Sequence, residues 1–161
     1  PKKPLPLDVR YGAMLEVPAL AETLDRLLPK IDFLSIGTND LTQFLFAADR
    51  ADPRLAERYD WLSPAILRFL RRVSAQAREA GIPVRVCGEM GGRPLEAMAL
   101  CGVGNGQLSF TPAAVGPIKA MVRTLDGARV RARVEQLLER PPANMRKTLS
   151  DWARRHQVSI D

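Results

Sequence analysis

A chain of 161 residues has the length of one ordinary domain and is too short for two compact ones. With 46% hydrophobic and 26% charged residues, it has the material for a buried core, which excludes wholesale disorder. The formal net charge is +6, and no apolar run approaches the ~20 residues that span a bilayer.

Taken in chain order, Gly12–Val17 reads as a first strand stopped by Pro18. Leu20, Leu24 and Leu27 then form an apolar helical stripe ahead of Pro29. Asp32–Ile36 reads as a second strand, halted by Gly37, and Leu41, Phe44, Leu45 and Ala48 mark a short helix behind it. Ser63 and Pro64 open a longer helix with Ile66, Leu70, Val73 and Ala77 on one face, and Gly81 closes it, the usual Pro-in, Gly-out asymmetry. Val84–Cys87 is a third strand. A helix from Pro94 to Cys101 follows, then a fourth strand at Gln107–Phe110. Ile118, Met121, Val122 and Leu125 continue the 3.6-residue period. All four strands are short and apolar on both faces, as strands covered on both sides are. Strand–helix alternation of this kind calls for a parallel sheet with helical crossovers. Two more helices, about 128–139 and 143–157, are separated by Pro141-Pro142. This divides the chain into an α/β part, residues 1–125, and a helical extension, residues 126–161.

The positive charge is unevenly spread. Residues 1–118 carry 14 basic and 13 acidic side chains, whereas residues 119–161 carry 10 and 5. A basic tail suits nucleic acid or an acidic membrane surface. Only Trp152 adds an aromatic to it, so a solvated helical face is the better reading and nucleic acid is an unlikely partner. Cys87 and Cys101 are too far apart for a redox C-x-x-C pair, and with His156 as the one histidine a His/Cys metal site is poorly supported. Any metal here would use carboxylates and be a hard ion such as magnesium. A cytoplasmic location is the default.

Polar residues gather where the strands end: Glu16 after the first, Thr38-Asn39-Asp40 after the second, Cys87-Gly88-Glu89 at the third. In parallel α/β folds this edge is where ligands bind. Glu16 and Asp40 are natural partners for one divalent ion, since a buried carboxylate needs compensation. Backbone N–H groups at the start of the following helix suit an anion. Arg50 can fork onto a phosphate or carboxylate, although a salt bridge to Asp49 or Asp52 is the plainer reading. Cys87 is either an inert core thiol or, facing the strand ends, a proton donor or nucleophile. Cys101, in an apolar helical run, reads as packing.

These motifs carry a resemblance. Ala13–Ala19, Ser35–Phe44, Ala48-Asp49-Arg50 and Val86–Met90, in this order and spacing, resemble the phosphoenolpyruvate-utilising enzymes over about residues 11–125. The Asp40-to-Arg50 stretch is most similar to enzyme I of the phosphotransferase system and less similar to the dikinases and phosphoenolpyruvate synthase. Ala113–Met121 leans towards the nitrogen-related branch. The resemblance implies that phosphoenolpyruvate binds at the mouth of a (β/α)8 barrel and that its phosphoryl group passes to a histidine on a separate domain, and on to a phosphocarrier protein, leaving pyruvate. Glu16 and Asp40 match the family's Mg2+ ligands, Asn39 a phosphate contact and Arg50 a cationic clamp on the phosphoryl group. Cys87 matches the group that exchanges a proton with the methylene carbon of enolpyruvate. That role requires a protonated thiol. The sequence departs from the family at Gly91 (usually Ala), Arg93 (frequently Asp), the glycine-rich Val103–Gly106 and Ser109-Phe110-Thr111.

The implied fold is the C-terminal half of a TIM-type barrel, four parallel strands with their helices, followed by two helices. The opening Pro1-Lys2-Lys3-Pro4, without Met or a signal sequence, fits a piece of a longer enzyme. Such a fragment would carry part of an active site and be almost inactive alone. His156, in the amphipathic pattern of Met145, Leu149 and Trp152, is rejected as the phosphoacceptor. Exposed strand edges predict self-association into a homo-oligomer. The competing readings are a dimerisation or regulatory module and, least favoured, a basic nucleic-acid-binding domain.

Overall fold

The computed structural model describes residues 8–49, 51–56 and 59–160. Three strands, β1 (Gly12–Leu15), β2 (Phe33–Gly37) and β3 (Val84–Cys87), form a parallel sheet in the order β1-β2-β3. The register sets Leu15 opposite Ile36 and Gly37 opposite Cys87, so the C-terminal ends of the strands come together on one edge. Leu34 and Ile36 of the central strand are wholly buried, as a strand covered on both faces requires.

Gln107–Phe110 departs from the expected fourth strand. It lies parallel to β3 but makes only one isolated bridge, between Val86 and Leu108. Val86 N–H donates to the Gln107 carbonyl at 2.9 Å and Ser109 N–H donates to the Val86 carbonyl at 2.8 Å. Pairing cannot extend, because Gly104 turns the chain with φ +97° on one side. On the other, Pro112 opens a 3₁₀ turn, Pro112–Ala114.

The first helical stripe also differs from the expected single helix. Pro18–Thr23 is 3₁₀, one α-helical turn, α1 (Leu24–Leu27), follows, and Leu28–Lys30 is again 3₁₀. Thr23 interrupts the helical dihedrals at φ −122°, its hydroxyl turned back to the Leu20 carbonyl at 3.1 Å. The next helix, α2 (Thr38–Phe46), begins directly off β2 and takes Thr38, Asn39 and Asp40 into its first turn; Ala47, left-handed at φ 50°, ends it. A short turn, α3 (Pro53–Ala56), precedes α4 (Pro64–Glu79). Ser63 caps α4 as its sequence predicts, the hydroxyl accepting from Ile66 N–H at 3.3 Å.

After β3, a 3₁₀ turn at Glu89–Gly92 leads into α5 (Pro94–Gly102), which is buried almost all round. Then come α6 (Val115–Thr124), α7 (Gly127–Glu139) and α8 (Met145–Arg155). Asp126 caps α7 and Asn144 caps α8 through backbone N–H groups two to three residues on. Close approach of α7 to α5 depends on Gly102, where a Cβ would lie 2.5 Å from Val134 Cγ2. One hydrophobic cluster runs from Leu15 and Ile36 through Met98 and Leu100 to Val134, Leu149 and Trp152, so the two last helices share the core that supports the sheet. Among the described residues, no helix is long and apolar enough to cross a membrane.

Candidate functional site at the strand ends

The shared C-terminal edge of β1, β2 and β3 fixes what its side chains can do. Cys87 ends β3, and its Sγ donates to the Ile36 carbonyl at 3.4 Å and rests 3.7 Å from Met14 Sδ. Burial pushes the Cys87 thiol above its ordinary value, and the negative charge of Glu16 pushes it further in the same direction. Both disfavour the thiolate, so this sulfur holds a proton and is a poor nucleophile at neutral pH.

Behind Cys87 the chain turns sharply. Gly88 has φ +104°, a conformation that L side chains avoid, and a Cβ there would sit 2.5 Å from Thr38 Oγ1. That hydroxyl donates to the Cys87 carbonyl at 2.9 Å, tying the start of α2 to the end of β3. The next residue completes the link: Glu89 N–H donates to Asn39 Oδ1 at 3.2 Å, and Asn39 Nδ2 donates to Glu89 Oε1 at 3.5 Å. Asn39 is thereby oriented at the helix start, where N–H groups and the helix dipole favour an anion.

Glu16 packs across β2. A Cβ on Gly37 would fall 2.6 Å from Glu16 Oε1, so the glycine is the cradle in which that carboxylate lies. Asp40 stands in the first turn of α2, immediately beyond Gly37. Two carboxylates with water and substrate oxygens are the ordinary way to hold a magnesium ion, and Glu16 and Asp40 have the right chemistry for one. Among the described residues no group of three or more His, Cys, Asp or Glu converges.

The fold therefore brings Glu16, Asn39, Asp40 and Cys87 to one edge, while Arg50 lies outside the described residues. Three further residues take part: Thr38 and Glu89, which the sequence placed among the polar strand ends without a role, and Met14, which it did not single out. Met14 contacts the Cys87 sulfur, Thr38 holds its carbonyl, and Glu89 orients Asn39. For Met14 the available signal was alternation along the first strand, which puts it on the face of Glu16. The departures at the mouth are accommodated. A Cβ at Gly91 would meet the Ser109 carbonyl oxygen at 3.6 Å, an ordinary contact, and the Arg93 guanidinium lies 4.8 Å from the centre of the Trp61 ring.

Beside this edge is a cleft of about 620 Å³ between Asn39, Thr42 and Glu89 on one side and Trp61, Arg93 and Arg146 on the other. Thr42 Oγ1 is buried there without a hydrogen-bond partner among the described residues. Arg146 of α8 closes the far wall with a two-pronged bond to Asp60, both contacts 2.8 Å, and a 2.6 Å bond to Glu96 Oε1.

Comparison with known proteins gives this edge its context. Residues 3–127 match the family described as "PEP-utilising enzyme, PEP-binding domain". The chain belongs to that family. It is 44% identical over 117 residues to a Salmonella typhimurium protein named "Phosphoenolpyruvate-dependent phosphotransferase system", covering 73% of this chain and 16% of the relative. An Escherichia coli K12 protein of the same name is 42% identical over 130 residues, 81% of this chain and 17% of the relative. A Cupriavidus necator "Phosphoenolpyruvate-protein phosphotransferase" is 42% identical over 131 residues, 81% of this chain and 22% of the relative. The chain thus spans under a quarter of the length of these relatives.

Proposed function

We propose that this chain is the phosphoenolpyruvate-binding portion of a phosphoenolpyruvate–protein phosphotransferase, a (β/α)8 barrel half whose mouth is the strand edge. One observation carries the reading. Glu16, Asn39 and Asp40 share the C-terminal edge of a parallel sheet with Cys87, a thiol whose surroundings keep it protonated. Glu16 and Asp40 would hold a magnesium ion, which would supply positive charge to the substrate. Asn39 and the N–H groups that open α2 bind the phosphate, and Arg50 clamps the group in transfer.

The bond between phosphorus and the enol oxygen breaks as a nitrogen of a histidine, on a part of the enzyme beyond this chain, bonds to phosphorus. The enolate left behind takes a proton at its methylene carbon from Cys87, giving pyruvate and a thiolate that solvent reprotonates. The phosphohistidine then serves a phosphocarrier protein. The enzyme is cytoplasmic, and Ala113–Met121 supports the nitrogen-related branch. By itself the chain transfers no phosphoryl group.

The test combines this chain with the remaining barrel half and the histidine domain and follows phosphoryl transfer from phosphoenolpyruvate. Asp40→Ala should abolish magnesium-dependent substrate binding in calorimetry. Cys87→Ala should keep that binding and lower turnover about 100-fold or more, the usual worth of a positioned general acid. Full turnover in Cys87→Ala would overturn the role given to the thiol.

A further inference from the structure

A cleft of about 810 Å³ lies away from the strand ends. It runs between α4 and α7, with the end of α5 as its end wall. Arg68, Arg71, Arg72 and Arg78 of α4 and Arg131 of α7 line it, and Glu135 is the one lining carboxylate. Arg68 is structural: its Nε, at 3.0 Å, and its Nη2 both donate to the Leu138 carbonyl and join the two helices. Arg71 meets Glu135 across the groove at 3.8 Å, and Arg72 meets Glu22 at 2.8 Å. Half-exposed pairs of this kind hold weakly. Arg78 and Arg131 make no ion pair among the described residues. Counting Glu22, five guanidinium groups face two carboxylates.

The spacing is informative. Arg68, Arg71, Arg72 and Arg78 line the α4 side of the groove, a row about 15 Å long at helical rise, with a step of about 5–6 Å from 68 to 71/72 and about 9–10 Å from there to 78. A row of that length outruns a single small anion and suits an extended one that carries charge at several points. Arginine forks match phosphate oxygens two at a time, which a lysine ammonium cannot do. The floor is apolar, Phe69, Val103 and Val134, and such walls concentrate the field of the charged rim. The volume lies in the range of small-ligand sites.

We propose that this groove binds a polyphosphate chain, either inorganic or the tail of a nucleotide. The site is separate from the strand edge and uses none of its residues. Titration of the 161-residue chain in EDTA, which silences any magnesium-dependent site, with inorganic tripolyphosphate, ATP and citrate is the test. Both phosphate compounds should bind and weaken with salt, and citrate, whose carboxylates carry comparable charge, should bind at least tenfold less tightly. ATP binding tighter than tripolyphosphate would assign the floor to the nucleoside; equal binding would assign the site to the phosphate chain alone. Arg78→Gln with Arg131→Gln should weaken binding by about tenfold or more, as loss of charge-assisted bonds does. Arg131→Gln alone, on an exposed side chain, should lower it measurably without altering the circular dichroism spectrum. Arg123→Gln, outside the groove, should leave it unchanged. Citrate binding as tightly as tripolyphosphate, equal losses in Arg123→Gln and the groove variants, or binding of neither phosphate compound would each overturn the proposal.

Discussion

Cys87 keeps its proton because two influences act in one direction: partial burial first, then the charge of Glu16. The sign has consequences that can be measured. A thiol held above its ordinary value in the folded state contributes stability that is complete below the unfolded value and is lost as pH rises through the folded one. In a Cys101→Ser background, the rate of Cys87 alkylation by iodoacetamide should therefore rise with a midpoint above the roughly 8.5 of a free thiol. A plateau at or below pH 8.5 would contradict the arrangement. Gly88 gives a second prediction at this scale. Gly88→Ala forces a Cβ into a positive φ and against Thr38 Oγ1, so it should cost about 1–3 kcal/mol in urea denaturation. That Glu16, Asn39, Asp40 and Cys87 lie together at the strand ends was legible in the sequence, because each directly ends or follows a strand. The contacts that Met14, Thr38 and Glu89 make were not, because they join residues about 50 or more positions apart, and local spacing carries no record of which strands become neighbours.

Helices with strong punctuation were read correctly. Ser63-Pro64 opens α4 and Gly81 follows its end; the last two helices, expected at about 128–139 and 143–157, run 127–139 and 145–155 behind caps, Asp126 and Asn144, that the sequence reading did not name. Asp126→Ala should cost about 1 kcal/mol, the usual worth of an N-cap, seen as a lower thermal midpoint. Where signals conflicted, reading by period failed. Pro18, Thr23 and Pro29 break the first apolar stripe into 3₁₀ turns, and Gly104 and Pro112 leave the fourth strand a single bridge. Nothing in the sequence announced the link that Arg146 makes between elements. Glu96, only 2% exposed, sits in the first turn of α5 and depends on that guanidinium from α8. Arg146→Met should therefore destabilise the fold by about 3 kcal/mol, the low end for stranding a buried charge. Adding Glu96→Leu should recover most of that loss, since the carboxylate then left without the guanidinium, Asp60, is 39% exposed and still accepts from Leu62 N–H. A neutral Arg146→Met would show that Glu96 finds another donor.

At the scale of the whole molecule, β1 pairs only with β2 among the described residues, and Tyr11, Met14 and Val17 beside it are exposed. An open apolar edge is a template for association. Light scattering should show concentration-dependent self-association, reduced by Tyr11→Lys; a strict monomer at every concentration would rule that out. The distribution of charge was legible only in part. The sequence located its excess in residues 119–161, yet four of the five groove arginines come from α4, inside the stretch whose overall charge nearly cancels. Counting along the chain cannot reveal a field that a fold assembles from one face of a helix. The single bridge between Val86 and Leu108 has its own consequence for how the protein opens. Amides in β2, secured on both sides, should exchange with deuterated solvent only when the whole sheet separates. The amides of Val86 and Ser109 are released when just that bridge parts. The molecule should therefore loosen from one side of its sheet first, and a peptide covering 107–110 should take up deuterium long before one covering 33–37.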